Sequence, residues 1–98
     1  MAKKIKSEIF DAANFLDNEE VIAEYINIAL ESNDPNELLK ALDTVARAKG
    51  MTRIAKETGL NRESLYKSLK EGNRPYFDTL QKVLSSIGIK FKAVPSAT

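Results

Sequence analysis

Residues 51–70, MTRIAKETGLNRESLYKSLK, read as two short helices joined by a tight turn at Gly59. The Thr52 hydroxyl is placed to cap the first helix. That helix turns Ile54 and Ala55 inward and shows Arg53, Lys56 and Glu57 to water. Gly59 supplies the left-handed backbone that ends a helix at low cost, and Leu60 plugs the corner. Asn61 then caps a second helix, which sends Leu65 and Leu69 toward the core at i, i+4 spacing. Ala55, four residues before Gly59, stands where the two helices cross and a larger side chain would push them apart.

A turn of about three or four residues is what a DNA-binding helix-turn-helix requires. The outward side chains of the second helix are Arg62, Glu63, Tyr66, Lys67 and Lys70. Long polar and aromatic groups of this kind suit base edges and phosphates. The alternative is a plain helical corner with a solvated basic face.

Working outward, the segment before this pair is helical in pattern. Leu38, Leu39, Leu42, Val45 and Ala46 give 36–49 one apolar face, and Gly50 ends it. Further upstream, Val21, Ile22, Tyr25, Ile26, Ala29 and Leu30 make 19–32 an amphipathic helix, with Asp17 or Asn18 as its cap. Residues 33–35, Asn-Asp-Pro, stop it. Phe10 to Leu16 reads as one or two helical turns behind a terminus of low apolar content. Downstream, 71–75 is a loop of turn formers. A helix over 76–86 follows, with Phe77, Leu80, Val83, Leu84 and Ile87 as its core side. Residues 89–94, Ile-Lys-Phe-Lys-Ala-Val, alternate apolar and basic side chains, the pattern of a half-buried strand. A lone strand cannot satisfy its own backbone. Pairing with a second copy or with a partner is therefore expected, the alternative being an extended tail packed on the core. The fold class is all-α: a helix-turn-helix bundle over 35–98 with a short C-terminal strand, preceded by a helical extension over 1–34, the whole compact.

Ninety-eight residues, 43% of them apolar, suffice for one core. With no cysteine there is no disulfide, thiolate metal site or cysteine nucleophile, and with no histidine the commonest general base and metal ligand are missing. No enzyme, metal or cofactor is expected. No signal peptide and no membrane span is visible, which leads to the expectation of a soluble cytoplasmic protein. The net charge of +1 hides an asymmetry. Residues 1–34 carry three basic against eight acidic side chains, net −5, while 35–98 carry twelve against six, net +6. The C-terminal part can approach a phosphate backbone, and the N-terminal part should face away from it or toward a basic partner.

On the DNA reading, Arg62 and Lys67 are the leading candidates for guanine or phosphate contacts, and Tyr66 for a thymine methyl. Asn61 is a cap or a base contact. Thr52 and Arg53, at a helix N-terminus, should hold phosphate. Lys56, Lys70 and Arg74 are further phosphate candidates, and Glu63 accepts from cytosine or steers Arg62. On the partner side, Asp11, Asp17, Glu19, Glu20 and Glu24 are candidates for docking a basic protein, with Phe10, Phe15 or Tyr25 as anchors unless those rings fill the core.

With four helices from Asn36 to Gly88, the chain resembles the compact DNA-binding domains of phage repressors. Closer still, FDAANFLDNEE at 10–20, VARAKGM at 45–51 and IAKETGLNRESLYKSL at 54–69 look like the probable addiction-module antidote family, that is, HigA-type antitoxins. Residues 77–80 and 84–91 also fit, so the resemblance covers about 10–94. One departure is the loop order Gly72-Asn73-Arg74-Pro75-Tyr76, where the family commonly has Gly-Asn-Pro before the aromatic. The resemblance implies the antitoxin of a type II pair. It would neutralise a RelE/HigB-like ribonuclease toxin and repress its own operon by binding operator DNA as a dimer. The other readings are a stand-alone helix-turn-helix regulator and a helical interaction module without DNA binding.

Overall fold

The computed structural model describes residues 18–96. They form five helices: α1 (Glu19–Glu31), α2 (Pro35–Lys49), α3 (Met51–Thr58), α4 (Arg62–Ser68) and α5 (Phe77–Ser86). No strand forms among the described residues. The expected turns around Phe10 to Leu16 lie outside them.

The helix ends follow local chemistry. Asn18 Oδ1 accepts from the backbone N–H groups of Glu20 and Val21, at 2.7 and 3.3 Å, and Glu19 and Glu20 occupy the positive end of α1. The Asp34 carboxylate accepts from the Asn36 N–H at 2.9 Å. Pro35 occupies the first position of α2, where its missing donor costs nothing. Asn33, at φ +58°, turns the chain out of α1, and Pro35 starts α2.

Ile22 and Ile26 of α1, Leu39, Leu42 and Val45 of α2, Ile54 and Ala55 of α3, Leu65 and Leu69 around α4, and Val83, Leu84 and Ile87 of the α5 region share one buried cluster. Helix α1 packs on α2, and α3 packs on α2, α4 and α5. The first helix of the central pair, α3, is thus also central to the packing. Ala55 is 4% exposed, in keeping with the close crossing.

Three expectations change. Thr52 is not a cap: Gly50, at φ +104°, turns the chain straight from α2 into α3, so α3 begins at Met51 with no side chain capping it. Phe77 is not in the core but 61% exposed, its ring stacked on Phe91 at 5.5 Å. Residues 89–94 form no strand, because the described residues offer no second strand to pair with. Their alternation still acts: Ile89 and Phe91 are half-buried against the core while Lys90 and Lys92 face water. The segment leaves α5 through Gly88, at φ +83°, with the Ile89 N–H bonded to the Leu84 carbonyl at 2.9 Å.

Candidate nucleic-acid interface

The turn between α3 and α4 is built by a few backbone bonds. Gly59 sits at φ +80°. Its N–H reaches the Lys56 carbonyl at 3.4 Å, and the Leu60 N–H reaches the Ala55 carbonyl at 3.0 Å. This double bond pattern is the usual left-handed stop of a helix. Asn61 Oδ1 then accepts from the Ser64 N–H at 2.7 Å, so Asn61 is the cap of α4. At the far end, Asn73 Nδ2 donates to the carbonyls of Lys67 and Ser68, at 2.9 and 3.3 Å. The neighbouring Gly72 N–H donates to Asn36 Oδ1 at 2.7 Å. Both ends of this seven-residue helix are thereby tied down by asparagines, and the loop at 71–75 is fastened to the first turn of α2.

The presented surface differs in part from the expectation. Arg62, Glu63, Lys67 and Lys70 are exposed on α4 or just after it, and Arg74 is exposed in the loop. Neither Lys67 nor Lys70 forms an ion pair with a described residue. Arg53 is exposed, but its Nε lies 3.0 Å from Glu57 Oε2 in an i, i+4 pair that offsets part of its charge. Thr52 and Lys56 are exposed on α3. Glu63 does not steer Arg62: Arg62 Nη2 donates instead to Tyr66 Oη at 3.3 Å.

Tyr66 is half-buried rather than freely presented. The Arg47 guanidinium lies 4.7 Å from its ring centroid and that of Arg62 lies 5.8 Å away. Arg47 is in turn held by Asp43, Nε to Oδ2 at 2.8 Å. That hydrogen bond, and then the Asp43 charge, raise the Arg47 pKa above its ordinary value. Arg47 is not among the candidates read from the sequence. The signals available were its i, i+4 spacing from Asp43 and its place in the last turn. The contact with Tyr66 crosses between helices, and no local pattern shows it.

The acidic candidates divide. Asp11 and Asp17 lie outside the described residues, as do Phe10 and Phe15. Glu20 and Glu24 are exposed on α1, with Val21 and the 69% exposed Ile28 beside them on that helix. Glu19 is exposed as well, its side chain lying over Gly88. Tyr25 packs against the core. No cluster of carboxylates able to hold a metal, and no helix long and apolar enough to cross a membrane, occurs among the described residues.

Residues 6–95 match the model of a family described as probable addiction module antidote protein. The chain belongs to this antidote family. A Haemophilus influenzae protein described only as uncharacterized is 36% identical over 96 residues, spanning 98% of this chain and 97% of its own length. No solved structure matches the chain at a significant level. Membership makes the chain an antidote, or antitoxin, by family, with a toxin as the implied partner.

Proposed function

We propose that this antidote is the antitoxin of a type II pair, neutralising a RelE/HigB-like ribonuclease toxin and repressing its own operon by binding operator DNA as a dimer. The observation that carries the DNA half is α4, a short helix pinned at both ends with Arg62, Glu63 and Lys67 exposed along it. Arg62 and Lys67 read base edges in the major groove, and Lys70 and Arg74 meet phosphate on either side. The first N–H groups of α3, which no side chain caps, receive a phosphate together with Thr52 and Arg53. One such helix makes few base contacts. Two copies on a pseudo-palindrome about one helical turn apart supply the rest. Residues 89–94, whose alternating side chains find no strand partner among the described residues, are the segment through which two copies join.

The toxin docks on the outer side of α1. Glu20 and Glu24 attract its basic surface, and Ile28 and Val21 give the contact an apolar centre. The dividing experiment is a gel shift of the purified chain on its own upstream DNA against a scrambled duplex at two salt concentrations. Preference for the upstream duplex, falling steeply with salt, is expected. Equal binding to both duplexes at both salts refutes the DNA half and leaves an interaction module working through α1. Pull-down of the toxin encoded beside the antidote gene tests the other half, and loss of capture in Ile28→Asp is the expected result.

A further inference from the structure

The group at the junction of α2 and α4 is a four-member chain: Asp43, Arg47, Tyr66 and Arg62. Its links are an ion pair at 2.8 Å, a guanidinium 4.7 Å from a ring centroid, and a hydroxyl bond at 3.3 Å. Asp43 is half-buried while the side chain of Arg47 remains more than half exposed. A solvated arginine on a helix end ordinarily samples many rotamers and contributes charge alone. Here one end of the guanidinium is fixed by a carboxylate on its own helix, one turn back, and its plane lies over a ring from another helix. The ring is therefore covered by Arg47, and the same tyrosine holds Arg62 through its hydroxyl.

We infer that Arg47 is a positioning residue for DNA reading. It fixes the Tyr66 ring from α2, and Tyr66 in turn sets the direction in which Arg62 leaves α4. The inference rests on the proposed DNA-binding role of α4. It assigns Tyr66 a different task from that of a thymine-methyl contact, since a half-buried ring beneath a guanidinium acts through its hydroxyl and edge. It also divides the two arginines. Arg47, anchored by Asp43, stays in place, while Arg62, held by a single 3.3 Å bond and a longer ring contact, is released to a base.

The test compares Arg47→Lys, Arg47→Ala, Asp43→Asn and Tyr66→Phe in the full chain, each measured for affinity on operator and scrambled duplex across a salt series. Lysine keeps the charge but lacks the planar group that pairs with Asp43 and covers the ring. A positioning role predicts that Arg47→Lys loses operator preference almost as fully as Arg47→Ala, by on the order of tenfold. The slope of affinity against salt should stay near that of the wild type in Arg47→Lys and Arg47→Ala alike. Tyr66→Phe, which keeps the ring and removes the hydroxyl, should lose preference in the same direction. A direct phosphate contact predicts the reverse: rescue by lysine, and a slope in Arg47→Ala reduced by about one unit. That result overturns the inference while leaving the DNA reading intact. Absence of any operator preference in the wild-type chain overturns both. Melting of all four variants near the wild type, with toxin capture retained, is expected, because Asp43 and Arg47 lie outside the buried cluster and Tyr66→Phe keeps the ring that packs against it. Loss of preference explained wholly by a collapse in melting temperature overturns the positioning role.

Discussion

Replacing Asn61 separates two roles that its place in the sequence leaves open. Its side chain accepts one bond, from the Ser64 N–H at 2.7 Å, at the head of a helix only seven residues long. The Leu65 N–H already bonds the Asn61 carbonyl at 3.0 Å, so the side chain serves the one first-turn donor that it reaches. Asn61→Ala removes that acceptor and costs about 1 kcal/mol, within the usual range of about 0.5–2 for a lost cap. For a domain of this size, that lowers the melting temperature by roughly 4–8 °C. Asn61→Ser retains a capping oxygen and should recover most of the loss. Thermal unfolding followed by far-ultraviolet circular dichroism gives the first comparison, and operator affinity of the serine variant gives the second. If Asn61 acts as a cap alone, the serine variant binds like the wild type. An alanine variant that melts with the wild type would refute the capping argument. A serine variant that melts normally but loses operator preference would show a base contact as well.

Other outcomes follow from the same geometry. Arg62→Ala should weaken operator binding by roughly 1–3 kcal/mol and relax discrimination at one base pair, measured by gel shift on a panel of single-base operator variants. Glu57→Gln releases Arg53 from its 3.0 Å partner. Stability should fall by less than about 0.5 kcal/mol while affinity for duplex DNA rises, read from melting and gel shift on one preparation. Gly59→Ala meets no atom within 4 Å, so its cost is that of the left-handed backbone alone, about 1–2 kcal/mol by urea unfolding.

The parts of the molecule legible from sequence are those governed by neighbours along the chain. The Gly59 stop, the Asn61 cap and the inward pair Leu65 and Leu69 each depend on residues within one helical turn, and each stands as read. Thr52 misses the capping position by a short step. Gly50 permits a turn so tight that α3 starts at Met51 and leaves no room for a side-chain cap. Phe77 fits the apolar stripe of α5 by periodicity, yet it meets Phe91 outside the core, because the tail after Gly88 folds back over that side of the helix. The sequence points to Tyr66 but not to Arg47, because the two lie on different helices. Their contact exists only once α2 and α4 are packed, and an arginine in the last turn of a helix has a sufficient local explanation in the helix dipole.

Helix α4 anchors to the buried cluster through Leu65 and the adjoining Leu69, with asparagines holding its two ends. Of its remaining outward side chains, Glu63 and Lys67 lie outside the buried cluster, and Arg62 meets the half-buried Tyr66 through one 3.3 Å bond and a longer ring contact. Surface substitutions of this kind usually change stability by less than about 0.5 kcal/mol. The helix is consequently an interchangeable insert: descendants of one ancestral chain can diverge in these three side chains, and so stop cross-reacting with one another's targets, while inheriting the same scaffold unchanged.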